Sequence, residues 1–250
     1  WRGDVHLVID RVHLTDLDDN APQEVFDDRG PETVMATGVS LHRDTLVYPS
    51  SSLASATSSR TRRAGKGSRF DWTLDRYGFP GGNREFTRML TDYTVYATID
   101  RDFLGRLTTL RFDGKLGYIF ENDAPTYERF YLGGNSFRGL GFRQVSPKGT
   151  PRVPGGATDR PIGGSWQLFL GAQYETPLMG DAITGVVFVD SGTVTDTVGF
   201  EDYRIAVGAG LRLYIPQFGN IPMAFDFGFP IKKQSDDETR VFTFSAELPF

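Results

Sequence analysis

The feature that most constrains this chain is an alternation of apolar and polar residues sustained for about ten positions at a time. In the last segment Phe242, Phe244, Ala246, Leu248 and Phe250 share one face, against Thr243, Ser245 and Glu247. A period of two is the pleat of a β-strand, whose successive side chains point to opposite faces. The pattern recurs upstream, with Met223, Phe225, Phe227 and Phe229 against Ala224, Asp226 and Gly228, and with Ile205, Val207, Ala209 and Leu211 against Arg204, Gly208 and Arg212. It appears again in Leu168, Leu170, Ala172 and Tyr174 against Gln167, Gly171, Gln173 and Glu175, although Phe169 interrupts that polar set. Strands of soluble sheets average about five or six residues, whereas a tilted strand crossing a bilayer needs about 9 to 11. A soluble sandwich or a lipocalin-like barrel would alternate too. Strand length, and aromatics near the strand ends, point instead to a transmembrane barrel.

Composition agrees with an all-β reading: the 250 residues include 29 Gly, 20 Phe, 10 Tyr and 3 Trp, with little helical periodicity. The formal charge of −5 gives no bulk attraction to nucleic acid. With no cysteine, thiolate metal sites, disulfides and cysteine nucleophiles are excluded. No apolar run reaches the roughly 18 residues of a membrane helix, which leaves membrane strands open.

The alternation predicts ten strands, near 3–12, 33–44, 68–78, 86–99, 106–120, 164–177, 183–191, 202–214, 221–230 and 238–250. Short turns around 100–105, 179–182 and 217–220 alternate with longer polar connections at 13–32, 121–163 and 192–201. In outer-membrane barrels short turns face the periplasm and long loops face outside, which predicts a periplasmic C-terminus. The Ser/Arg-rich stretch 50–69 is too long for the short-turn side, and nothing in the sequence accounts for it. The chain reads as one unit over 1–250, with 121–163 as its long extracellular loop.

That loop carries the most specific motif, residues 127–142, reading YERFYLGGNSFRGLGF. It resembles the sixth extracellular loop of the BamA/TamA family, also called the bacterial surface antigen family, in which a Gly-Gly pair precedes Val-Arg-Gly-Phe or Tyr. Here the tetrad is Phe137, Arg138, Gly139 and Leu140, so the flanking residues depart from the family pattern while Arg-Gly is kept. Residues 171–177 (GAQYETP), 187–193 (VFVDSGT) and the final hairpin from Phe225 to Phe250 resemble the strands that follow in the family.

A loop arginine folded into a barrel lumen needs carboxylates, because its guanidinium stays protonated and its planar fork suits bidentate pairing. Glu175 and Asp190 have the inward parity of their strands, and both are predicted as partners of Arg138. The resemblance implies the same assignment. It further implies a barrel of about sixteen strands, of which these ten form the C-terminal part. The implied place is the bacterial outer membrane, and the implied role is insertion of other barrel proteins, with membrane lipids, unfolded client proteins and periplasmic accessory proteins as partners. The last strand, with Phe242, Phe244, Leu248 and Phe250, would then form one side of a gate that pairs with client strands. A two-partner-secretion pore and a passive porin-like channel remain alternatives.

No enzymatic role, cofactor or metal is expected. The run Asp16-x-Asp18-x-Asn20 starts like a calcium loop, but Ala21 stands where the turn requires glycine. His6, His13 and His42 lack the spacing of a zinc site, and no nucleophile elbow or Walker loop occurs. The basic residues Arg60, Arg62, Arg63, Lys66 and Arg69 read as a solvated loop, with lipid phosphate or an accessory protein as the alternative contact.

Overall fold

The computed structural model describes residues 1–48, 64–121, 123–152, 159–180, 182–214 and 222–246. The strands are β1 (Arg2–Leu14), β2 (Gly30–Asp44), β3 (Gly67–Tyr77), β4 (Thr87–Arg101), β5 (Leu107–Ile119), β6 (Gly139–Leu140), β7 (Trp166–Met179), β8 (Ile183–Thr195), β9 (Arg204–Tyr214), β10 (Pro222–Lys232), β11 (Thr239–Arg240) and β12 (Phe242–Ala246). Among the described residues a single short helix, α1 (Gln23–Asp27), lies between β1 and β2.

Ten of the strands form one antiparallel meander in the order β1-β2-β3-β4-β5-β7-β8-β9-β10-β12, so each long strand pairs with its neighbour in the chain. The predicted strands match these ten to within a few residues at most ends. The remaining two, β6 and β11, pair with each other, Thr239 opposite Leu140 and Arg240 opposite Gly139. Among the described residues no strand covers the far edge of β1 or of β12.

The alternation sorts the two faces as period two requires. On the outer face Val187, Val189, Leu170, Leu211, Phe227, Phe229, Phe242 and Phe244 are all exposed. On the inner face Gln167, Gln173, Glu175, Asp190, Arg204, Arg212, Asp226 and Thr243 are buried. Polar inside and apolar outside inverts a soluble protein, and it is the arrangement of a barrel whose outer wall meets hydrocarbon.

The inner wall is not polar throughout. Phe137, Leu132, Leu140 and Val145 of the long loop pack with Phe169 of β7, Val194 of β8, Ala206 of β9 and Phe86 into a core on the concave side of the sheet. This explains the interruption of the polar set at Phe169. Its ring meets Phe137 edge-on, with centroids 6.0 Å apart. The loop therefore fills the concavity rather than standing off from it.

The expectation of one continuous final strand over 238–250 is corrected. Residues 247–250, including the predicted gate residues Leu248 and Phe250, lie outside the described residues, as do Arg60, Arg62 and Arg63. Within the described part the strand divides in two. β12 pairs with β10 from Met223 opposite Ala246 to Phe227 opposite Phe242. The ladder then ends with the Gly228 N–H donating to the Val241 carbonyl at 2.8 Å. Two positions further, on the same side of the strand, stands Pro230, which has no N–H to donate. Residues 239–240 turn away from β10 and pair with the loop instead.

Candidate functional site

Among the described residues several anchors tie the long loop to the wall, Arg88 with Glu128 at 2.6 Å among them, and the predicted tetrad lies at the central one. The Arg138 side chain donates from Nε and Nη2 to the two carboxylate oxygens of Asp190 at 2.8 and 2.7 Å. Its backbone N–H adds a third bond to the same carboxylate, at 3.0 Å. Nη1 donates to Gln173 Oε1 at 2.7 Å and lies 3.7 Å from Asp226. Below, the guanidinium rests 3.5 Å from the ring centroid of Phe188, a stacking that an arginine favours.

Glu175 enters this group through Gln173, whose Nε2 donates to it at 2.6 Å. The amide is thus oriented by its neighbours, with oxygen toward the cations and nitrogen toward the carboxylate. Arg212, reaching in from β9, holds Asp226 in a bidentate pair at 2.7 and 3.0 Å. Sequence reasoning placed Asp190 beside Arg138 but missed Gln173, Asp226 and Arg212 as members. Their inward parity was visible in the alternation. What was not visible is that β7, β8, β9 and β10 bring four such positions under one guanidinium.

Backbone contact completes the anchor. Gly139 has φ of +94°, and a Cβ there would lie 3.1 Å from the carbonyl carbon of Gly228. A Cβ on Gly228 would meet Gly139 N at 2.6 Å. Two glycines therefore let the loop backbone rest directly on β10.

A second anchor holds the front of the loop. Arg84 donates from Nε to both oxygens of Glu32 at 3.0 Å and from Nη2 to Asp28 at 2.9 Å. The Tyr127 hydroxyl donates to Glu32 at 2.7 Å, and the Thr126 N–H donates to Asp28 at 2.7 Å. Burial, followed by the neighbouring Glu32 carboxylate, pushes the Tyr127 hydroxyl above the usual tyrosine range, so it remains a donor.

The third anchor is Asp237, beyond β10. It accepts from Arg204 Nε and Nη2 at 2.9 and 3.1 Å and from the Gln234 N–H at 2.9 Å, with Lys148 Nζ 3.5 Å away. Burial alone would raise its pKa, but the bonds from Arg204 and Gln234 and the Lys148 charge outweigh it and hold the carboxyl below its ordinary range. Burial lowers the Lys148 pKa, against the attraction of Asp237 and Asp236.

Elsewhere, His6 lies 2.7 Å from Asp75, and His42 Nδ1 lies 2.7 Å from Asp71, both on the inner wall. In the acidic stretch Asp18 accepts from the Asn20 N–H at 2.9 Å and from Arg160 at 3.3 Å, an Asx turn with an ion pair.

The whole chain, residues 1–250, matches the Omp85 superfamily domain. It is 28% identical over 242 residues to the outer membrane protein assembly factor BamA of Nitratidesulfovibrio vulgaris (strain Hildenborough). That alignment covers 92% of this chain and 27% of the relative's length. Among solved structures, the crystal structure of BamA from Haemophilus ducreyi lacking POTRA domains 1-3 matches with a TM-score of 0.68 at 19% identity, covering 86% of this chain and 42% of that one. At that identity the likeness speaks for the fold.

Proposed function

Because the chain belongs to the Omp85 superfamily, we propose that it is the C-terminal wall and loop of a barrel that inserts other β-barrel proteins into the bacterial outer membrane. The observation that carries this reading is the edge of β12 opposite β10, which no strand covers among the described residues, beside a loop that is itself pinned to the strand's outer end. In the β10–β12 ladder Val241, Thr243 and Ser245 share the parity that faces β10, so the N–H and C=O groups of Phe242, Phe244 and Ala246 face that edge. A strand edge of this kind, where no neighbour holds it, accepts an incoming strand by β-augmentation. In this reading Phe242 and Phe244 belong to the gate, the short-turn rim and the C-terminus face the periplasm with its accessory proteins, and the chain catalyses no reaction. The relative named as an assembly factor supports the role.

The edge is testable without breaking the sheet. In the full-length protein reconstituted in lipid vesicles, Phe244→Pro removes one donor from that edge but none from the β10 ladder, as prolines on edge strands allow. Insertion of an unfolded barrel client is expected to slow about tenfold, roughly what one lost backbone hydrogen bond at a docking edge amounts to. Phe244→Leu should leave it near the unmodified rate. Equal rates for the proline variant and the unmodified protein, with the barrel folded, would remove β12 from the gate.

The outer face has its own test. Val189 is exposed near the middle of β8, where an arginine facing hydrocarbon costs about 2–4 kcal/mol. Val189→Arg is therefore expected to lower the denaturant midpoint of the barrel folded in vesicles. An unchanged midpoint would mean that this face does not meet lipid.

A further inference from the structure

We infer that Asp237 is a positioning residue for the last strand: it holds the segment leading into β12 against the long loop and so fixes where that strand leaves the sheet. The contacts form an unbroken series. Lys148, 3.5 Å from Asp237, donates to the Gln144 carbonyl at 2.6 Å and to its Oε1 at 2.9 Å. The next residue after Asp237, Glu238, donates its N–H to the same Oε1 at 3.3 Å and accepts from the Gly141 N–H at 2.8 Å. β11 follows at once, paired with β6, and then Val241 returns to β10.

Both side chains of the central pair are sequestered, that of Asp237 at 0% and that of Arg204 at 3% exposure. A buried carboxylate facing two cations cannot be neutralised without leaving those cations uncompensated. Burial of this degree marks a fixed hub rather than a surface ion pair.

Pro230 gives the hub its consequence. At the next position of β10 that faces β12, Pro230 has no N–H to donate, so the ladder loses a bond where residues 239–240 would join it. Their pairing with the loop depends on contacts made around Asp237. The same loop segment is gripped from the other side by Arg138 on Asp190, so the tetrad joins the two anchors. For its bearing on client insertion this inference rests on the proposed gate at β12. The placement of the strand does not.

The test is hydrogen exchange in the full-length protein reconstituted in lipid vesicles, with no client present. In Asp237→Asn, which keeps the shape and removes the charge, the amide of Gly141 is expected to exchange about tenfold faster, in proportion to the lost charged hydrogen bonds. The amides of Thr243 and Ser245 should keep their protection. Lys148→Met, a milder change outside the Arg204 pair, should move Gly141 the same way by a smaller factor. Unchanged Gly141 protection in both variants would overturn the inference. So would equal loss at Gly141, Thr243 and Ser245, since Asp237 would then merely hold the hairpin together. Client insertion by the unmodified protein is a separate measurement, and its absence would count against the assembly role while leaving the hub standing.

Discussion

Replacing Arg138 with alanine is expected to release the long loop from the wall and to cost about 3–5 kcal/mol, the penalty of removing one partner from a buried ion pair. The magnitude follows from what remains behind. Asp190, with its side chain 2% exposed, would lose two side-chain donors. Gln173 would lose a donor, and the ring of Phe188 would lose its covering cation. Asp226 would suffer least, since Arg212 still pairs with it.

Arg138→Lys should restore only part of the loss, because a point charge cannot reach both carboxylate oxygens and the amide at once. Asp190→Ala should cost a similar amount, and the double variant much less than the sum of the two. The measurements are proteolytic cleavage within 127–142 and the denaturant midpoint of the folded barrel, alongside growth of cells that depend on the protein. A loop as protected in Arg138→Ala as in the unmodified chain, with an equal midpoint, would remove the latch from the mechanism.

Gly228→Val is expected to have the next largest effect, and it tests a contact made entirely by backbone. The added carbon would lie 2.6 to 2.9 Å from Gly139 N, Arg138 C and Gly139 Cα, none of which can rotate away. Either the loop lifts off β10 or the strand bends, at a cost of about 1–3 kcal/mol for overpacking. Raised cleavage of the loop, with Arg138 still present, is the expected readout. Gly114→Ala is the matched control, because its nearest neighbour would be the Leu170 side chain at 3.8 Å, an ordinary contact. Equal behaviour of the two variants would show that the loop does not rest on Gly228.

The residues of the tetrad were legible as a motif, and the carboxylate at Asp190 was legible from parity. Glu175 was predicted as a direct partner of Arg138 on the same grounds. In the folded chain Gln173 occupies the place at Nη1 and passes its own N–H on to Glu175. Parity says which way a side chain points, but it does not say which of two inward residues on one strand lies level with a loop from elsewhere. Asp237 was illegible for another reason. It sits in a connection with no period, and only the folded loop brings Lys148 and Arg204 to it.

By itself, then, the sequence determined the strands, their faces and their order as a meander. Strand period and hairpin connection are local properties, written in consecutive residues. It did not determine that the last strand divides at residue 241, although Pro230 was in plain view. A missing donor matters only once a register places it opposite a partner. Tertiary structure alone decided that the long loop fills the concave face. It also decided which inward charges meet it, because those pairs join residues far apart in the chain, 98 positions for Asp28 and Thr126, where nothing in the local pattern constrains them.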